Sequence, residues 1–178
     1  MSKPSRNTLI LSALALLMAA TRYNHFGTAV SLPDASLAVF FLGGLYLARA
    51  GRGAWLAFTF LLLEAWGMDY YATAFRGVSD WCVTPAYSFL ILTYASLWQG
   101  GRWLAARLAS GQTGMAVVAG SALGSVALAF LISNASFYLL AGYFSEMGAA
   151  EYASAVARYF LPYLGSAALY LLPAAALH

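Results

Sequence analysis

Thr113-Gly-Met-Ala-Val-Val-Ala-Gly-Ser-Ala-Leu-Gly-Ser-Val-Ala-Leu-Ala-Phe-Leu-Ile-Ser133 decides the class of fold, because its 21 residues carry no charge. A bilayer core about 30 Å thick takes roughly 20 such residues per helical crossing. Working outward, the same template fits five further stretches, at about 7–23, 33–50, 54–75, 82–100 and 152–177. Composition agrees: 62% of the 178 residues are hydrophobic, 8% are charged, and the mean hydropathy is +0.74. A soluble domain carries about a quarter charged residues. The expectation is an all-α integral membrane protein, a single domain over 1–178 with six transmembrane helices. Asn134–Phe144 is apolar but rich in aromatic and small residues, and reads as an outer loop with a short interfacial helix. The first span does not read as a signal peptide, since Thr21-Arg-Tyr-Asn-His-Phe-Gly27 offers no small-x-small cleavage site.

Charge sets the orientation. Lys3, Arg6, Arg49, Arg52, Arg102 and Arg107 fall at three alternate connections that contain no acid. The opposite connections mix Arg22, Arg76 and Arg158 with Asp34, Asp69, Asp80, Glu146 and Glu151. The positive-inside rule then puts both termini in the cytoplasm. The basic pI of about 9.1 is thereby explained by topology, and nucleic acid drops out as a partner. The short cytoplasmic connections carry no phosphate-binding motif, so any ligand is met from outside.

Packing signals are of two kinds. Gly120-Ser-Ala-Leu-Gly124, with Ser121 and Ser125 one residue on, and Ala15-Leu-Leu-Met-Ala19 are small-xxx-small faces that let helices approach. Contact within the subunit is the first expectation for the former. Gly43-Gly44, Pro162 and Gly165 read as close contacts or kinks. Twelve tyrosines, many towards the outer side, fit both an interfacial girdle and an aromatic-walled cavity for a large flat ligand. The glycine-bearing, aromatic connection 142–148 is a candidate lid.

The polar residues of the outer half are the candidates for chemistry. Glu64 lies deepest, either as a satisfied buried acid or as part of a functional path. Asp69 sits at the mouth of its span and suits the amides of a polar ligand. Arg158 suits amides or a phosphate, or else pairs with Glu151 or Asp69. His25 is a structural hydrogen bonder or a ligand contact; the only other histidine, His178, lies at the cytoplasmic end, which argues against bis-histidine haem. Cys82 is the single cysteine, in Ser79-Asp-Trp-Cys-Val-Thr-Pro85, which reads as a helix start. A thiol there would feel the positive end of the helix dipole, which favours thiolate, the nucleophilic and metal-binding form. One thiol cannot build a protein metal site, so a metal partner would arrive already chelated, as in a corrin or porphyrin. Inert packing is the other reading of Cys82.

The segments His25-Phe-Gly, Leu32-Pro-Asp-Ala-Ser-Leu-Ala-Val-Phe-Phe41 and Trp81-Cys-Val-Thr-Pro-Ala-Tyr87, with six short spans and the Ala15/Ala19 face, resemble the BtuM family of solitary cobalamin transporters. These are related to the substrate-binding S-components of energy-coupling-factor transporters. The resemblance implies cobalamin uptake across a bacterial inner membrane, with the corrinoid bound base-off from the outer face and Cys82 as axial ligand to its cobalt. It further implies that Asp69 and Tyr87 help hold the corrin, with Arg158 and His25 nearby, and that Cys82 supports decyanation of cyanocobalamin. The Ala15/Ala19 face would dock a coupling module, if one is used. Two other functions fit the residues alone: a membrane-embedded thiol enzyme or redox protein, and an S-component for another vitamin that depends on an ATPase module.

Overall fold

The computed structural model describes residues 5–22, 32–112 and 114–176. Among them are seven α-helices: α1 Arg6–Arg22, α2 Ser36–Leu47, α3 Arg52–Phe75, α4 Leu90–Ala109, α5 Met115–Leu140, α6 Ala149–Ala157 and α7 Phe160–Ala176. A short 3-10 helix, Pro85–Phe89, leads into α4. No strand occurs among the described residues, so the all-α class is established.

The centre of the bundle is the crossing of α2 and α4. Here four glycines matter. A β-carbon on Gly44 would collide with the backbone carbonyl of Trp98, and one on Gly101 with that of Phe41. Gly44 and Gly101 therefore let the two backbones touch, while Gly43 makes room for the Trp98 ring and Gly100 for the Ser125 side chain of α5; Gly100-Gly101 lies inside α4 rather than ending it. Around the crossing, Phe40, Leu47, Leu61, Leu97, Trp98 and Leu104 are fully buried. Phe40 stacks on Tyr94 with ring centres 4.1 Å apart, and Phe58 meets Trp98 edge to face at 5.4 Å. α1, α3 and α7 pack onto α2, and α5 packs onto α4. α4 ends in a Schellman turn: Gly111 takes a positive φ of 84°, its N–H donates to Leu108 O, and that of Gln112 donates to Arg107 O.

Several boundaries differ from the sequence expectation. α5 runs on to Leu140, so Asn134–Leu140 is two more turns of helix and not an interfacial loop. Nothing in that stretch breaks a helix before Gly142, which has a positive φ of 79°. α4 begins at Leu90 rather than near Cys82, and continues to Ala109. The 152–177 stretch is two helices bent by 44°. Pro162 accounts for the break: it cannot donate to the carbonyl four residues back, at Arg158, and its ring crowds that group. Gly120 and Gly124 meet nothing within 4 Å. It is Ser121 and Ser125 that face inward, where the Ser121 hydroxyl donates to Gly100 O.

α5, at 26 residues, is long and apolar enough to cross a membrane, and α6 with α7 would pass as one broken span. α2 is apolar but has only 12 residues. Charged residues mark the two ends of the helices differently. At one end Arg102 lies over the Trp55 ring at 5.4 Å, joining α4 to the start of α3. At the other, Arg22 meets Asp34 and Asp69.

Candidate functional site

At the mixed-charge end a cavity of about 810 Å³ opens between the helices. Its lining includes Asp69, Cys82 and Tyr87, which lie within one stretch of the sequence, and the distant Arg158. His25 lies outside the described residues. Ala15 lies elsewhere, with Leu11, Ser12, Leu16 and Phe60, in a shallow groove between α1 and α3.

One wall is an ion cluster anchored by Arg22 in the last turn of α1. Its Nε donates to Asp69 Oδ1 at 2.8 Å and its Nη2 to Asp69 Oδ2, a forked pairing with α3. Its Nη1 donates to Asp34 Oδ2 at 3.1 Å, Ser36 Oγ at 2.8 Å and the Tyr94 hydroxyl at 2.8 Å. Asp34 also accepts from the backbone N–H and hydroxyl of Ser36, which starts α2. Four helices thus meet on one guanidinium. The sequence alone places Arg22 only as one cation at the mixed-charge connections. The signal that could have found it is an arginine closing an apolar helix in a chain whose mixed-charge connections are rich in acids.

Asp69 is consequently committed. Besides Arg22 it accepts the Tyr87 hydroxyl at 2.5 Å. The two sequence-predicted residues are joined to each other, and Tyr87 is held by its hydroxyl with its ring on the cavity wall.

Cys82 lies in a turn ahead of the 3-10 helix, where the Val83 N–H donates to Asp80 O and the Thr84 N–H donates to Cys82 O. It does not sit at an α-helix N-terminus. The following 3-10 helix has only five residues, too few for a substantial dipole. The thiol is accessible, but partial desolvation at the cavity wall pushes its pKa up, and the Asp69 carboxylate adds to this. The expected dipole-stabilised thiolate is replaced by a resting thiol.

The opposite wall is aromatic. Trp81 stacks on Tyr143, ring centres 5.3 Å apart and planes 4° from parallel, and packs edge-on against Phe137 at 4.9 Å. The Tyr143 hydroxyl donates to Trp81 O, so the connection 142–148 is tied to the Cys82 turn. Phe144 and Tyr152 continue the cluster at 4.8 Å. Arg158 and Tyr159 sit at the α6–α7 break. The Arg158 guanidinium lies 4.9 Å from the Tyr159 ring centre and donates to its hydroxyl at 3.0 Å. It makes no ion pair with Glu151 or Asp69.

Glu64 is half-buried on α3 and is not among the residues lining this cavity. Its Oε2 has no hydrogen-bond partner among the described residues. The chain matches no protein-family model and no curated protein.

Proposed function

We propose that this protein takes up cobalamin across the bacterial inner membrane, binding the corrinoid base-off from the outer face through a Cys82–cobalt bond. One observation carries the reading: a single large cavity gathers the only thiol, Asp69, Tyr87 and Arg158 between aromatic walls. Ligand sites of about 300–1,000 Å³ are usual, and 810 Å³ lies towards the upper end. A corrinoid brings its cobalt already held by four ring nitrogens, so it needs from the protein only one soft axial donor. A thiolate is such a donor. Tyr87, fixed by Asp69, offers its ring to the macrocycle.

The same arrangement supports decyanation as a ligand exchange. The cobalt–sulfur bond forms, the cobalt–cyanide bond breaks, and the thiol proton leaves with cyanide as hydrogen cyanide. No change of oxidation state is required. A thiol fixed beside the metal acts at high effective concentration. In this reading the bundle crosses the membrane six times, through α1, α2 with its flanking residues, α3, α4, α5 and the bent α6–α7 pair.

Absorbance spectroscopy of the purified protein with cyanocobalamin tests the proposal. A cobalt–thiolate spectrum that vanishes in Cys82→Ala is expected. An unchanged cyanocobalamin spectrum with wild-type protein would sink the reading. Growth of an import-deficient host lacking any coupling module then separates solitary uptake from dependence on an ATPase.

A further inference from the structure

Among the described residues, four formally charged side chains line the cavity: Arg22, Asp34, Asp69 and Arg158. Three of them form one cluster of net charge −1, in which Arg22 is paired with both carboxylates. Arg158 is different. No carboxylate lies within 4.0 Å of it among the described residues, and its one hydrogen bond goes to its own neighbour, the Tyr159 hydroxyl at 3.0 Å. That bond uses one of the five N–H donors of the guanidinium. Since the Tyr159 oxygen accepts, its own hydrogen is left to donate elsewhere. The pair is also oriented in advance: the guanidinium rests on the Tyr159 ring, and both residues are fixed at the α6–α7 break that Pro162 enforces.

We propose that Arg158 and Tyr159 form an anion-recognition point that reads a phosphodiester on the ligand. The inference rests on the corrinoid reading and deepens it. A forked, permanently charged guanidinium matches the paired oxygens of a phosphate, and a phenol hydroxyl supplies a third donor. The peripheral side chains of a complete corrinoid are neutral amides; its anionic group is the phosphodiester of the nucleotide arm. In the base-off form that arm is released from the metal and free to extend to a second point on the wall. Cys82 would then select the metal and Arg158 the arm.

The test compares cyanocobalamin with cobinamide, which keeps the corrin ring but lacks the phosphodiester arm. Both are titrated by absorbance into the full-length protein, wild type, Arg158→Gln and Arg158→Lys. Wild type is expected to prefer the complete corrinoid by about tenfold, the scale of a charge-assisted hydrogen-bond pair. Arg158→Gln should abolish the preference by weakening cyanocobalamin alone, and Arg158→Lys should retain part of it. Equal affinities in the wild type, or a glutamine variant that weakens both corrinoids alike, would overturn the inference. Equal affinities would also result if the cation instead serves a lipid phosphate. Those outcomes leave the Cys82-dependent spectrum intact, whereas loss of that spectrum with both corrinoids overturns the corrinoid reading as well.

Discussion

Arg22 and Arg158 face the same cavity under opposite conditions. Arg22 is 4% exposed and donates five hydrogen bonds to four different residues on or beside three other helices. Arg158 is exposed, and among the described residues its hydrogen bond goes to the next residue. A buried charge is tolerable only when nearly every donor and acceptor around it is matched, so the Arg22 wall is fixed by its own electrostatics. The Arg158 wall is built of stacked rings and a helix break, and its charge is left for something else. One wall is frame, and the other is reader.

The comparison breaks most visibly at Arg22. Arg22→Ala leaves the Asp69 carboxylate buried without its cation, a change that costs about 3–5 kcal/mol. Thermal unfolding in detergent should show a large loss, while Arg158→Gln should unfold within about 0.5 kcal/mol of wild type, as surface changes do. If the two variants unfold alike, the division into frame and reader is wrong.

A second pair of positions sharpens the same contrast within the helices. Gly44 sits against the Trp98 carbonyl, whereas Gly124 faces open space. Gly44→Ala overpacks the α2–α4 crossing and should cost about 1–3 kcal/mol. Gly124→Ala adds a methyl where nothing is met and should be neutral or slightly stabilising, since alanine favours helix over glycine by about 1 kcal/mol. Unfolding midpoints of the two variants measure this directly.

On the aromatic wall the expected effect is smaller. Trp81→Ala removes the stack on Tyr143, and such pairs contribute about 0.5–1.5 kcal/mol beyond the area they bury. The global midpoint should move little, but hydrogen exchange should rise in the Cys82 turn and in the connection 142–148. Unchanged exchange there would mean that the two loops are not held by each other.

How much of this was legible in the sequence depends on the range of the interaction. The location of α5 follows from local hydropathy, because the uncharged run Thr113–Ser133 carries the signal. Its extension through Asn134–Leu140 is not legible in composition, because small and aromatic residues suit a loop as well as a helix; the absence of a breaker before Gly142 is the better signal. The α6–α7 break was half legible: Pro162 signalled a disturbance, but a proline acts on the carbonyl four residues earlier, so the bend falls at Arg158. The grouping of Cys82, Asp69, Tyr87 and Arg158 on one outer cavity was expected from topology and family resemblance, and these four do line one space. The Arg22 cluster was not legible. Its partners lie 12, 14, 47 and 72 positions away, and only the packing of four helices brings them together.

The thiol supplies the finest test, because here the frame acts on the reader's side of the cavity through charge alone. The Ser79–Pro85 pattern suggests a helix start and a lowered thiol pKa. In the fold the turn is not helical, and desolvation followed by the Asp69 charge raises the pKa instead. A free cysteine ionises near 8.5, so Cys82 should be protonated at pH 7 and gain thiolate only at pH values above that reference. Its alkylation rate by a small neutral reagent should therefore still be climbing where an unstructured peptide thiol has levelled off. The sign for stability is the same. The folded state keeps its proton while the unfolded chain releases one, so stability from this group is full below about pH 8.5 and declines as pH rises through the folded value. An alkylation profile with its midpoint below that of the peptide would return the thiol to the helix-dipole account, and would mean that Asp69 is screened from Cys82 by its pairing with Arg22.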